Sequence, residues 1–256
     1  MLAELVAGAL HDASARRVLR SQAEVESAAL ARPAALDALA ALAPADRVKI
    51  IAEVKRSSPS RGALADIPDP AALAMSYQTG GASAISVLTE GRRFGGSLAD
   101  LEAVRDTVSL PILRKDFIAE AYQVLEARAA GADLVLLIVA AIDQRTMQTL
   151  FDLIGELGMS ALVETHNEDE VRRALDLGAG LIGVNARDLS TFELDQNLFG
   201  RLADQIPSGV IRVAESAVRT PADVMHYRQA GADVVLVGEA LVTGDPVASL
   251  AEFLAV

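Results

Sequence analysis

The sequence predicts an α/β protein, a closed (β/α)8 TIM barrel with an N-terminal helical extension, and three observations predict it. A Gly-Ala pair recurs about every fifty residues, at Gly81-Ala82, Gly131-Ala132, Gly178-Ala179 and Gly231-Ala232, each after an amphipathic stretch and before an apolar run. Four further apolar runs alternate with these, making eight. The length of 256 residues matches the roughly 250 usual for one such barrel.

Residues 1–47 read as helical, with Leu2, Leu5, Val6, Ala9 and Leu10 on one face and a second apolar stretch near Leu36, Leu39 and Leu42. No Gly/Ser linker separates them from the first strand, so they are expected to pack as a plug over one barrel end, within a single domain of residues 1–256. The strands then come in order: VKIIAEV from Val48, AISVLT from Ala84, LPILRK from Leu110, DLVLLIV from Asp133, MSALVE from Met159, GLIGVN from Gly180, GVIRVAE from Gly209 and DVVLVG from Asp233. Their continuous apolar character suits strands buried on both faces, and the helical segment between each pair makes the sheet parallel. Each repeated Gly is placed to end a helix with φ > 0 before the next strand. The polar segment from Arg56 to Pro70, rich in Ser, Pro and Gly, directly follows the first strand and reads as a lid.

Composition narrows the function. With no cysteine the chain has no disulfide, thiolate nucleophile or sulfur-ligated metal, which suits the cytoplasm. The start, Met1-Leu2-Ala3-Glu4, lacks a signal-peptide pattern, and the longest apolar run, Leu134 to Ile142, is too short to span a bilayer. A net charge of −12 argues against nucleic acid. An anionic substrate would therefore need a few cations placed against the global field. His11, His166 and His226 show no metal-ligand spacing and read as structural. No dinucleotide fingerprint, nucleophile elbow or Walker motif is present, so no organic cofactor and no metal is expected. The expected partner is a small phosphorylated molecule, without nucleic acid or membrane, bound by a monomer, with a weak homodimer as the alternative.

In this architecture chemistry sits at the C-terminal strand ends. Those ends carry Glu53 and Lys55, Thr89 and Glu90, Lys115 and Asp116, Glu164, Asn185 and Arg187, Glu215 and Ser216, and Gly238 and Glu239. Glu53 and Lys55, at i and i+2, share one face; if Ile51 points into the barrel, so do they. One such pair is as readily a structural ion pair as a functional one. Lys115 and Glu164 shift the balance, because several ionisable groups at one mouth are costly to desolvate unless function uses them. Asn185 offers an amide for a substrate hydroxyl, and Arg187 reads as a phosphate ligand or a surface charge. The loops after the last two strands commonly bind phosphate. Gly238 admits close backbone approach, and EALV opens a helix whose amides favour an anion, with Glu239 expected to cap or solvate its start.

The chain resembles the indole-3-glycerol phosphate synthase family over essentially its whole length. The resemblance is carried by IAEVKRSSPSRG (51 to 62), SVLTEGRRFGGSLADL (86 to 101), PILRKDFIAEAYQVLEARAAGADLVLLI (111 to 138), ALVETH (161 to 166), IGVNARDLSTFELD (182 to 195), AESAV (214 to 218) and VLVGEALV (235 to 242). It implies closure of the indole ring of 1-(2-carboxyphenylamino)-1-deoxyribulose 5-phosphate with loss of carbon dioxide and water, a lyase step of tryptophan biosynthesis that needs no cofactor. By the family pattern Lys115 is the general acid, Glu164 its partner in dehydration, and Glu53 and Asn185 assist, while Lys55 holds an anionic end of the substrate. Phosphate contacts fall to Ser58, Arg187, Ser216 and the Gly238 backbone. Phe94, Phe117, Leu136 and Leu189 form an apolar wall for the anthranilate ring. One departure stands out: the family reads Glu-Ser-Gly after the seventh strand, and this chain reads Glu215-Ser216-Ala217, which bears on phosphate affinity. The competing expectations are another phosphate-binding barrel, such as phosphoribosylanthranilate isomerase, whose Cys/Asp pair this cysteine-free chain lacks, and a non-catalytic sugar-phosphate binder.

Overall fold

The computed structural model describes every residue except Ser60, Leu189, Ser190 and Phe192. Eight parallel strands close into a barrel: β1 (Lys49–Val54), β2 (Ala84–Leu88), β3 (Ile112–Lys115), β4 (Leu134–Ile138), β5 (Ser160–Thr165), β6 (Leu181–Asn185), β7 (Ile211–Glu215) and β8 (Val234–Val237). Each strand pairs with its sequence neighbours, and β8 pairs with β1 through Ile51 opposite Leu236. The helices that follow the strands include α4 (Pro70–Thr79), α5 (Leu98–Arg105), α6 (Ala121–Ala130), α7 (Gln144–Glu156), α8 (Glu168–Asp176), α9 (Leu198–Ala203) and α10 (Pro221–Gln229); after β8 come the short α11 (Glu239–Val242) and α12 (Pro246–Leu254).

Strand parity divides the core. Ile51, Ala84, Leu113, Leu134, Leu136, Leu162, Leu181, Val213 and Leu236 fill the barrel interior. Their neighbours one residue away, among them Ile50, Ile85, Ile112, Val135, Val163, Ile182 and Val235, pack outward against the helices. This is the alternation a pleated strand imposes when both faces are covered. The four repeated glycines all have positive φ, between 77° at Gly178 and 98° at Gly131, as their place at helix ends requires.

The extension forms α1 (Leu2–Leu19), α2 (Gln22–Leu30) and α3 (Ala38–Leu42). It does not cover one barrel end only. Near the N-terminal strand ends, α3 buries Ala38 and Leu42, and the Leu36 amide donates to Asp133, just before β4, at 2.8 Å. Leu36 and Leu39 stay 40% and 38% exposed. At the other end α1 buries Leu5 and Ala9 and reaches the loop after β2 through Asp12, which pairs with Arg92. A segment of this length is long enough to run along the barrel wall, and its α2 lies against α6. Among the described residues no helix is long and apolar enough to cross a membrane.

Candidate active site

The parity that fills the barrel also builds its mouth. Two residues beyond an interior apolar side chain comes a polar one on the same face: Ile51 then Glu53 and Lys55, Leu113 then Lys115, Leu162 then Glu164, Val213 then Glu215. All four strands aim these groups into one cavity. Glu53, Glu164 and Glu215 are 3%, 1% and 2% exposed, so any charge they carry must be balanced by the lysines.

The ring is tightly connected. Lys115 Nζ lies 2.9 Å from Glu164 Oε2 and 3.2 Å from Glu215 Oε2. Asn185 Nδ2 donates to Glu164 Oε1 at 3.1 Å, and Ser216 Oγ donates to Asn185 Oδ1 at 2.8 Å. Lys55 Nζ pairs with Glu53 Oε1 at 2.7 Å, while the Ser86 hydroxyl reaches Glu53 Oε2 at 3.4 Å.

These contacts drive protonation states apart. Burial by itself would strip the proton from Lys115, but the carboxylates of Glu164, Glu215 and Glu53 outweigh it and hold the ammonium well above the ordinary lysine range. Burial would likewise protonate Glu164, yet Lys115 and then His166 keep it far below the usual carboxylate range. Glu215 moves the other way: burial, reinforced by Glu164 and only partly offset by Lys115, pushes it up to about 8. Its Oε1 is buried without a hydrogen-bond partner among the described residues. A lysine held as a cation, a carboxylate held as an anion and a carboxyl pushed upward meet at one mouth, the divergence that acid and base roles need.

One side of the cavity is apolar. Phe94 and Phe117 have ring centroids 6.2 Å apart, with Leu136 also lining the cavity, a surface for an aromatic ring. Phe117 is set by a network on the outward face of β3: fully buried Arg114 donates to Asp116 at 3.0 Å and Thr89 at 3.1 Å, and Asp116 accepts the Phe117 amide at 2.8 Å. The opposite side suits an anion. Ser58, Arg187, Ser216, Arg219, Gly238 and Glu239 lie there, and a Cβ at Gly238 would come within 2.6 Å of Glu53 Oε1 and 3.0 Å of Lys55 Nζ. Glu239 pairs with Arg61 at 2.9 Å, tying the start of α11 to the segment expected to be a lid, in which Ser57 and Ser58 pair antiparallel with Ala63 and Gly62.

Every expected site residue that is described lines this cavity: Glu53, Lys55, Ser58, Phe94, Lys115, Phe117, Leu136, Glu164, Asn185, Arg187, Glu215, Ser216, Gly238 and Glu239. Leu189 lies outside the described residues. Thr89 and Glu90, also named at a strand end, do not line it. Thr89 has outward parity and bonds Asp116 at 2.6 Å, and Glu90 accepts the amides of Arg92, Arg93 and Phe94. Strand-end reasoning misses Arg219, whose only signal is its place three residues after Ser216, and the contact of His166 with Glu164. Among the described residues no group of three or more His, Asp or Glu side chains is arranged to hold a metal ion.

The family model for indole-3-glycerol phosphate synthase matches residues 2–253. The chain belongs to that family. It is 72% identical over 253 residues to an indole-3-glycerol phosphate synthase of Leifsonia xyli subsp. xyli, covering 99% of this chain and 97% of the relative. It is 56% identical over 253 residues to that of Mycobacteroides abscessus, covering 98% and 93%. Solved structures share the fold alone: an N-acetylmannosamine-6-phosphate 2-epimerase from Clostridium perfringens (TM-score 0.59, 17% identity, 76% of this chain and 87% of that one) and a thiamine phosphate pyrophosphorylase from Pyrococcus furiosus (TM-score 0.60, 12% identity, 80% and 93%).

The departure from the indole-3-glycerol phosphate synthase pattern has a conformational consequence. Ser216 and Ala217 have φ of 70° and 62°, the two non-glycine residues with positive φ among those described. The turn is held by the Ser216 hydroxyl on Asn185 and by the Tyr227 hydroxyl, which donates to the Ser216 carbonyl at 3.2 Å. Left-handed backbone costs an alanine roughly 1–2 kcal/mol, and glycine returns about half of that through its freer unfolded chain. Ala217→Gly is therefore expected to stabilise the fold by about 0.5–1 kcal/mol, raising the thermal midpoint by roughly 1–3 °C. A lower midpoint would show that the turn carries no such strain.

Proposed function

We propose that this chain closes the indole ring of 1-(2-carboxyphenylamino)-1-deoxyribulose 5-phosphate, releasing carbon dioxide and water to give indole-3-glycerol phosphate. The observation that carries the assignment of roles is Lys115 bridging Glu164 and Glu215 at 2.9 and 3.2 Å, between an aromatic wall and an anion-favouring end. The substrate has matching parts: an anthranilate ring, a carbonyl at its middle and a phosphate at its far end.

With the aromatic ring against Phe94 and Phe117 and the phosphate toward Ser58, Arg187, Ser216 and the Gly238 backbone, the carbonyl falls near Lys115. The ring carbon bearing the carboxylate attacks that carbonyl carbon, and its oxygen takes a proton from Lys115, whose carboxylate neighbours keep the proton available. Loss of carbon dioxide returns its bonding pair to the ring and restores aromaticity. The new hydroxyl then leaves as water, which requires one proton delivered and one removed. Glu164, held as a carboxylate, serves the removal; Glu53 assists, and Asn185 orients both Glu164 and the substrate hydroxyls. Lys55 holds an anionic group of the substrate. We place the activity in the cytoplasm, in a monomer whose 256 residues form one domain. The absence of cysteine supports the compartment.

The test is direct: the purified protein, given this substrate, is expected to develop indole fluorescence with carbon dioxide release. A folded protein that binds the substrate and releases neither product would overturn the reading.

A further inference from the structure

His166 follows β5 and does not line the cavity, yet it touches the group that does. Its Nε2 is buried, makes no hydrogen bond among the described residues, and lies at ion-pair distance, 3.4 Å, from Glu164 Oε1. Its Nδ1 lies 3.0 Å from Glu170 Oε2, and its backbone amide donates to the same oxygen at 2.8 Å. Glu170 is itself fixed at the start of α8, where its Oε1 accepts from Asn167 Nδ2 at 2.7 Å. The imidazole thus stands between two carboxylates, bonded to Glu170 through Nδ1 and within ion-pair distance of Glu164 through Nε2. Two carboxylates on either side of one ring favour its protonated form.

We infer that His166 is a positioning residue that, as a cation, clamps Glu164 from behind and holds it in its charged form and orientation. The inference rests on Glu164 taking part in the reaction proposed above. Lys115 holds Oε2 and cannot also fix Oε1; His166 and Asn185 share that second oxygen. Without His166, Oε1 keeps only a neutral amide. The charged and titratable groups facing this pair are Glu164 on β5, Glu170 on α8, Lys115 on β3 and Glu215 on β7. Burial favours the neutral ring, but the carboxylates of Glu164 and Glu170 on either side outweigh it and push His166 up to about 10.

Two measurements test this. The chain has three histidines, so NMR of protein labelled at the imidazole nitrogens resolves His166 from His11 and His226. His166 is expected to keep both N–H protons through pH 8, and Glu170→Gln to lower its midpoint by roughly one unit. A wild-type midpoint near 6.5 overturns the inference. In turnover, His166→Gln keeps a donor and removes the charge. Taking a cation from beside a carboxylate raises that carboxylate's pKa, so the acid limb of kcat is expected to move up by about one pH unit. KM should change less than twofold, because the side chain is outside the cavity. A variant whose kcat profile superimposes on the wild type while its thermal midpoint falls would make His166 merely structural. If the wild type itself forms no product, the proposed function fails, and the NMR titration still decides whether the clamp is charged.

Discussion

Replacing Lys115 with methionine is expected to reduce kcat by a factor of about 10³, equivalent to roughly 4 kcal/mol of transition-state stabilisation. The side chain keeps its length and apolar stem, so the cavity keeps its shape. What goes is the proton donor and the cation that neutralises Glu164 and Glu215 at 2.9 and 3.2 Å. KM should change much less than kcat, since the aromatic wall and the anion end stand on other residues. Equal loss in a Lys55→Met variant with unchanged KM would instead make Lys55 the principal acid.

The same variant has a stability signature. Without the ammonium, two carboxylates buried to 1% and 2% exposure face each other, and each disfavours ionisation of the other. Glu164 still has His166 beside it, so the rise falls on Glu215, which burial and Glu164 already hold above the ordinary glutamate range and which loses the offset from Lys115. A carboxyl with a raised folded pKa contributes stability that is fully present below its unfolded value and is lost as pH rises through the folded value. Lys115→Met should therefore approach the wild-type thermal midpoint near pH 5 and fall progressively behind it toward pH 9. A constant gap across that range would mean that the carboxylates do not take up a proton.

Much of this site was legible because a strand has period two. Glu53 and Lys55 share a face by arithmetic, and the burial of Ile51 in the interior fixes which face it is. The same count, applied to β2, excludes Thr89: Ala84 faces the interior, so Leu88 does and Thr89 does not. Naming every polar residue at a strand end, without parity, admitted Thr89; Glu90 has the interior parity, but its carboxylate is taken by the loop amides of Arg92, Arg93 and Phe94. Arg114 was invisible for another reason. It sits beside Lys115 on the outward face, where a sequence suggests a helix-facing apolar residue, and its complete burial depends on Asp116, Thr89 and the Gln123 carbonyl arriving from three separate segments. His166 reads as structural because its two carboxylate neighbours are ordinary residues in the sequence; only the turn into α8 brings Glu170 back over the ring. The extension's grip on both barrel ends was hidden too, since amphipathic helices declare that they pack but not where.

Gly183→Ala should disable the site from a position that carries no chemistry. Gly183 lies on the interior face of β6, between Leu181 and Asn185, with Glu164 and Val213 paired beside it. A Cβ built there would overlap the Glu215 carboxylate at Oε1 and come within 3.3 Å of Leu162. The space a side chain would fill is already taken by the carboxyl, so the glycine is needed for room. Its φ is not among the positive ones, and alanine meets no backbone penalty. The methyl group must push Glu215 aside, and Glu215 cannot move without separating from Lys115 or entering the cavity. Overpacking of this kind costs about 1–3 kcal/mol of stability. Displacing a preorganised group by about 1 Å costs on the order of 10²-fold in rate. Thermal denaturation and steady-state kinetics of one variant measure both. Glu215→Ala/Gly183→Ala decides the cause: with the carboxyl gone, the methyl group has space, so the double variant should be no less stable than Glu215→Ala alone. If Gly183→Ala instead destabilises both backgrounds equally, the clash lies with Leu162 and the strand, and Glu215 is not held where the contacts with Lys115 put it.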